Sequence, residues 1–460
     1  MGSSMDLVSV NPASDKLINK YSIHNDIEVK RILNSALKAQ NQWKKTILED
    51  RLLLINKISS YLTENCEGLS KMMTQEMGKP FKESILEIQK CVFLCDYYFK
   101  ESAKILSGTK YNIEGQRSFV SYQPIGLVLG IMPWNFPFWQ VFRFAIPTLI
   151  VGNGVILKHS SNVQGCAKII EDSFGAVGFP NNIFKNIVIP GSKVDKVIKN
   201  SAIAAVSLTG SNKAGISVAT TAGSVLKKTV LELGGSDPYI ILSDADLIKS
   251  SEACIKGRII NAGQSCISAK RIIVISDIYD QFLLILKDKL SKKKFGNPMT
   301  DVDIGPMVSL KARDEIHKQV LESINKGAKL LIGGYIPQMV GSYYPITLLS
   351  NVKPGMAAFD EEIFGPVFSI IRSKNEQNAI DLANSSEFGL GASVFTKDIK
   401  KGEDIAKNKI FSGSCFVNDF VKSDPRLPFG GIKQSGYGRE LASQGMLEFV
   451  NIKTIVIKDN

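Results

Sequence analysis

Residues 155–162 read VILKHSSN, residues 188–191 VIPG and residues 206–215 VSLTGSNKAG. Each begins with aliphatic residues and ends in small or polar ones, the texture of a buried strand running into a loop. Between them lie SNVQGCAKIIEDSFGAVG (161–178) and GSKVDKVIKNS (191–201), whose apolar residues recur at helical spacing. The three runs read as successive strands of one nucleotide-binding sheet, with loops at the strand C-terminal ends. The pattern extends outward through GLVLGIMP (126–133), KKTVLELGG (227–235), YIILSD (239–244) and KRIIVIS (270–276). Apolar strands alternating with helices predict an α/β fold with parallel sheets covered on both faces. Residues 28 to 106 differ, with apolar residues three and four apart and no strand signal, and predict packed helices. No internal repeat or Pro/Gly/Ser linker cuts the chain, so its domains are expected to be discontinuous. The closing FVNIKTIVIKDN (449–460) alternates like a strand with no helix to cover it, and such an edge calls for a partner.

Length and composition limit the function classes. With 460 residues, 44% hydrophobic and 22% charged, the chain can bury a large core. It has no apolar run of about 18 residues and no export-signal pattern, so the expected compartment is the cytoplasm. The opening MGSS before Met5 resembles a cloning scar and is set aside. The net charge of +12 comes from lysines interleaved with acids, and the densest run, KLSKKK (289–294), lacks interleaved aromatics. Solvated helix faces account for these lysines better than a nucleic-acid site does. The seven cysteines show no metal-ligand spacing, and reduced thiols are expected. Cys91 and Cys95, one helical turn apart in an apolar run, are expected to be core.

One cysteine stands apart. NAGQSC (261–266) places Cys266 behind a glycine, among small residues expected to open a helix whose N–H groups would favour a thiolate. The usual base is histidine, but the chain has only His24, His159 and His317, none in a promising neighbourhood. A carboxylate is the better suspect. Glu232 ends the apolar run of LELGG (231–235), where partial desolvation would raise its pKa toward that of a useful general base.

These two stretches, with PWNFP (133–137), LTGS (208–211), EEIFGPV (361–367) and PFGGIKQSGYGRE (428–440), resemble the aldehyde dehydrogenase superfamily in content and order. The resemblance runs from about residue 8 to the C-terminus and implies a Rossmann-like cofactor domain (5–106 and 125–234), an α/β catalytic domain (235–435) and oligomerisation strands (107–124 and 446–460). It implies a homodimer or homotetramer. Cys266 would attack the aldehyde carbon to give a thiohemiacetal, Asn135 and the Cys266 N–H would hold the alkoxide, and Glu232 would activate the water that hydrolyses the thioester.

The same resemblance implies the cofactor contacts. There is no GxGxxG. Thr209, Gly210, Ser211 and Gly215 would form the loop and helix start that face the pyrophosphate, and Pro133, Trp134 and Leu233 would also contact the cofactor. Lys158 and Ser160 would contact the adenosine ribose, and Glu362 and Phe364 the nicotinamide ribose and ring. Members restricted to NAD commonly carry glutamate where this chain has Ser161, so NADP is expected, with NAD tolerated. His159 stands where proline is common. Arg143, in the apolar NFPFWQVFRFAIP (135–147), needs an anion from the protein or the substrate. Succinate-semialdehyde dehydrogenases carry an arginine at this spacing and often a second where this chain has Ile260. The short bacterial members, which also match in FWQV, are the nearest resemblance. A CoA-acylating enzyme is disfavoured by Glu232, a non-catalytic scaffold by the complete set of Cys266, Glu232 and Asn135, and a cofactor-free cysteine hydrolase by the lack of a histidine base.

Overall fold

The computed structural model describes residues 6–114 and 116–458. Expectations touching residues 1–5, 115 and 459–460 lie outside the described residues. Two large sheets organise the chain. The first has six strands in the order Gly436–Tyr437, Lys228–Glu232, Ile203–Thr209, Leu127–Met132, Gly154–His159 and Phe184–Asn186, all parallel except the first pair. The second has seven, in the order Lys329–Ile332, Thr347–Ser350, Val367–Ser373, Ala269–Ile275, Asp237–Ile241, Gly391–Phe395 and Ser414–Val417, parallel except for the outermost Lys329–Ile332.

Alternation along each strand splits its side chains between two cores, as expected for sheets buried on both faces. In the first sheet Val128, Val155, Leu157 and Val230 face a core shared with the N-terminal helices, including Ile55 and Leu94. Their neighbours Leu129, Ile156, Val206 and Leu231 face the opposite side, toward Leu33 and Val218. In the second sheet Ile240 and Ile273 point one way and Ile241, Ile272 and Val274 the other.

The strand order places the site. From Leu127–Met132 the chain moves outward to Gly154–His159 and Phe184–Asn186, then returns to lay Ile203–Thr209 on the other side of its starting strand. The crevice between Leu127–Met132 and Ile203–Thr209 is a topological switch point, where open α/β sheets bind ligands beyond the strand C-terminal ends. PWNFP and the Thr209–Gly215 loop both emerge there. A third, antiparallel sheet joins Val450–Ile457 to Gln116–Pro124 and Lys110–Ile113, with Val450–Ile457 at the edge and its Ile452 and Val456 exposed. Among the described residues no helix is long and apolar enough to cross a membrane, and no His/Cys/Asp/Glu group is placed to hold a metal ion.

Candidate active site

Cys266 lies on a turn between a short 3₁₀ segment, Ile260–Gly263, and the strand Ala269–Ile275. The expected helix start is therefore not there. Asn261, Ala262 and Gly263 all take positive φ, at 54°, 53° and 75°, which reverses the chain and sends it straight into the strand. Left-handed backbone is costly at an alanine, and strain of this kind collects at functional sites. The turn is held from several sides: the Asn261 N–H donates to Glu83 at 2.8 Å, and the Val308 N–H donates to the Gln264 side chain at 2.9 Å. Lys270 takes the place of the expected helix N–H groups as a positive neighbour. Its ammonium donates to the Ser265 and Cys266 carbonyls at 2.8 and 2.7 Å and pairs with Glu362 at 3.2 Å. Burial nevertheless dominates and pushes the Cys266 thiol up to about 12, with Lys270 and then Arg143 pulling it down.

Glu232 is the last residue of its strand and is 2% exposed. Neither of its carboxylate oxygens has a hydrogen-bond partner among the described residues. Desolvation, reinforced by the nearby Glu440, holds its pKa well above the ordinary carboxylate range, while Arg143 and Arg439 oppose the shift. A buried, unpartnered carboxyl is expensive, so its presence is evidence of a role for a solvent or substrate proton. The chain leaves Glu232 through Gly234 and Gly235, and a Cβ on Gly235 would lie 2.6 Å from the Cys266 carbonyl oxygen. Only glycine permits that approach, which brings the strand carrying the carboxyl against the turn carrying the thiol.

Asn135 is buried, donating from Nδ2 to the Gln264 carbonyl at 3.1 Å, accepting from Gln140 at 3.0 Å, and taking the Asn261 side-chain amide on its own carbonyl at 2.7 Å. It is thus tied to the same turn as Cys266. Arg143 lies on the fully buried helix Trp139–Ile150 and is ion-paired with Glu440, the last residue of PFGGIKQSGYGRE. It also donates from Nη2 to Thr209 at 3.2 Å. The protein itself therefore supplies one anion for Arg143, while Arg143 and Cys266 line one cavity of about 820 Å³. Trp139, Ile260 and Phe429 belong to the same wall.

On the other side of the turn, the remaining expected residues gather at the switch point. Glu362 accepts the Gly235 N–H at 3.0 Å in addition to pairing with Lys270, and the Trp134 and Phe364 rings meet edge to face at 5.8 Å. Ser211 caps the helix Asn212–Gly223 by accepting the Ala214 N–H. Gly215 lies within that helix, where a Cβ would collide with Leu233 at 2.6 Å, so its small size serves helix packing. The Lys158 ammonium makes no ion pair or hydrogen bond among the described residues; the residue is 9% exposed, and burial lowers its pKa. Ser161 follows on a 3₁₀ turn, with Ser160 donating to Asn162 at 2.7 Å. An unpaired buried ammonium beside a free hydroxyl, with a helix N-terminus across the crevice, fits an anionic dinucleotide.

Several residues escaped the sequence reading. His159 is buried, accepts the Ser160 N–H at 2.9 Å and reaches the Pro137 carbonyl from Nε2 at 3.0 Å, tying the Lys158 loop to PWNFP. Burial lowers its pKa to about 4, so it is a neutral brace. Lys270 could have been found one turn's reach beyond the cysteine, and Glu440 was the closing residue of a quoted motif. Glu83 carried no signal, because the helix that bears it is separated from Cys266 by more than half the cofactor sheet in sequence.

Comparison with known proteins agrees with this geometry. Residues 2–455 match the aldehyde dehydrogenase family. The chain is 40% identical over 449 residues, 97% of each chain, to a succinate semialdehyde dehydrogenase [NAD(P)+] of Escherichia coli (strain K12). It is 40% identical to a probable succinate-semialdehyde dehydrogenase [NADP(+)] of Synechocystis, covering 98% of this chain and 100% of the other. The crystal structure of succinic semialdehyde dehydrogenase from Streptococcus pyogenes in complex with NADP+ superposes with a TM-score of 0.96 at 33% identity, over 98% of this chain and 100% of that one. With this match spanning nearly every residue, and Cys266, Glu232 and Asn135 gathered around a single turn, the chain belongs to the aldehyde dehydrogenase family.

Proposed function

We propose that the protein oxidises succinate semialdehyde to succinate with NADP, tolerating NAD. The observation that carries the substrate is Arg143, a buried guanidinium on the wall of the apolar cavity that reaches Cys266. Its Nη1 makes no hydrogen bond among the described residues, which leaves a donor for the distal carboxylate of a four-carbon semialdehyde. The Cys266 thiol gives its proton to solvent as the sulfur attacks the aldehyde carbon, and the Asn135 amide and Cys266 N–H donate to the developing alkoxide. A nicotinamide dinucleotide, when bound, supplies the hydride acceptor. Lys158 and Ser161 would hold its 2′-phosphate, Thr209, Gly210 and Ser211 its pyrophosphate, and Glu362, Phe364, Trp134 and Leu233 its nicotinamide half. Glu232 then takes a proton from the water that attacks the thioester on Cys266, and its raised affinity for a proton suits it to that task.

The cytoplasm suits the protein, whose seven cysteines are all free. Pairing through the exposed edge of Val450–Ile457 would make it a homodimer or homotetramer. The test is kcat/KM for succinate semialdehyde and for butanal with each cofactor, in the parent and in Arg143→Leu. Losing a partly desolvated charge contact should reduce kcat/KM for the semialdehyde by about thirtyfold or more and spare butanal. Equal losses for both aldehydes would remove the semialdehyde from the reading.

A further inference from the structure

The interior of the Cys266 cavity carries four charged groups: Glu83, Glu87, Lys90 and Arg143. Three of them are accounted for by the protein. Arg143 is paired with Glu440. Glu87 is paired with Lys79 and accepts the Phe138 and Trp139 N–H groups at 2.8 and 2.9 Å. Glu83 accepts the Asn261 N–H, and burial raises its pKa to about 7, so its negative charge is only partly present at neutral pH. Lys90 is the exception. It makes no ion pair among the described residues, its ammonium donates to Ser423 at 2.7 Å, and it lies 4.3 Å from the centre of the Trp139 ring.

The other cations nearby do not compete for the role. At the cavity mouth Lys82, Lys289, Lys292, Lys293 and Lys422 are each paired with an Asp or Glu. Lys256, also on the lining, makes no ion pair among the described residues, but it is exposed and its ammonium lies 4.8 Å from the centre of the Phe420 ring. Arg258, two residues before Ile260, is fully buried and spends its guanidinium on the Val367 and Ile363 carbonyls and the Ser268 hydroxyl. Ile260 itself presents an apolar side chain to the cavity.

We propose that Lys90 is the second cation for the distal carboxylate, acting with Arg143 and replacing the charge that Ile260 cannot supply. This rests on the reading of an anionic aldehyde as substrate. A carboxylate arriving between two cations in an apolar cavity relieves the desolvation and the mutual repulsion they bear without it. Both effects are visible in the protein alone: burial, and next the Arg143 charge, lower the Lys90 pKa to about 8. The groups that face it are Arg143 on the neighbouring helix, Glu87 and Cys91 on its own helix, and Asp424 on the loop beyond Ser423. As pH rises through about 8 the ammonium is lost, so KM for succinate semialdehyde should climb while KM for butanal stays level.

The test uses the full-length enzyme with saturating NADP and both aldehydes. Lys90→Met and Lys90→Gln should each raise KM for succinate semialdehyde roughly thirtyfold, with kcat and the butanal constants within about twofold. Lys90→Arg should restore most of the affinity and abolish the rise of KM above pH 8. Adding Ile260→Arg to Lys90→Met should recover part of the loss. An unchanged semialdehyde KM in both neutral variants, or equal losses for both aldehydes, overturns the assignment. If Arg143→Leu still lowers kcat/KM for the semialdehyde selectively in that case, only Lys90 is removed. If the parent enzyme shows no preference for succinate semialdehyde over butanal, the substrate reading falls and this assignment with it.

Discussion

The two large sheets serve the site from opposite ends of their strands. In the six-stranded sheet the contributing residues end or follow a strand: Pro133 after Leu127–Met132, Ser160 after Gly154–His159, Gly210 after Ile203–Thr209, and Glu232 at the end of Lys228–Glu232. In the seven-stranded sheet they precede one: Gly235 before Asp237–Ile241, Cys266 before Ala269–Ile275, and Phe364 before Val367–Ser373. The rule that α/β sheets bind ligands beyond their carboxyl ends accounts for the first set and is silent on the second. The first sheet offers a ready-made crevice, whereas the second must bring its reactive atom up to that crevice on a strained turn. A ligand-holding edge and a reacting edge are therefore separate inventions here, joined by the short Leu233–Ser236 link.

Variants on the reacting edge should cost most. Cys266→Ala should reduce turnover by about 10⁴-fold or more and abolish any burst of reduced cofactor, as loss of a nucleophile does elsewhere. Substantial steady-state oxidation by that variant would break the comparison outright. Glu232→Gln, at the junction of the two edges, should slow kcat by roughly tenfold or more while leaving a burst, which pre-steady-state absorbance can register. It also has a stability signature. Because burial raises the Glu232 pKa, the unfolded chain gives up this proton at lower pH than the folded one, and the folded state loses stability as pH rises above the unfolded value. Thermal melts at pH 8 should find Glu232→Gln no less stable than the parent, and a clearly lower Tm would mean that the carboxyl has a structural partner.

On the ligand-holding edge, Ser161→Glu should place a carboxylate beside the 2′-phosphate. A penalty of ~2 kcal/mol corresponds to about a thirtyfold shift in the NADP/NAD ratio of kcat/KM. An unshifted ratio would put the phosphate elsewhere. The smallest effect is expected at Lys270. Removing its charge in Lys270→Met should raise the Cys266 pKa further and slow iodoacetamide alkylation of the cofactor-free enzyme several-fold near neutral pH, by withdrawing one favourable charge among several. Faster alkylation in that variant would show that Lys270 shields the thiol more than it polarises it.

The difference between the edges also explains what could be read in advance. The strands of the first sheet and their loops declare themselves in VILKHSSN and VSLTGSNKAG, because apolar alternation and a following polar turn are local properties. Glu232 at a strand end was legible for the same reason. The Cys266 turn was not: a glycine and small residues before a cysteine serve a helix start or a left-handed reversal equally well, and Ala262 at positive φ has no signature in composition. Glu440 as the partner of Arg143 and Lys90 beside Trp139 depend on segments far apart in the chain being folded together, and no spacing rule reaches that far. His159 looked like a departure from a pattern, and its meaning emerged only with the Pro137 carbonyl on one side of the ring and the Ser160 N–H on the other.

The Leu233–Ser236 link has a kinetic consequence. Glu232 is fixed to one sheet and Cys266 to the other, and the glycine contact at Gly235 that brings them together exists only once both sheets are formed and docked. Each sheet can gain its strands and cores independently, in the domain-wise manner of long chains. In a refolding experiment the far-ultraviolet circular dichroism signal should therefore return ahead of enzymatic activity, and the interval between them measures how long the two halves take to find their final seat.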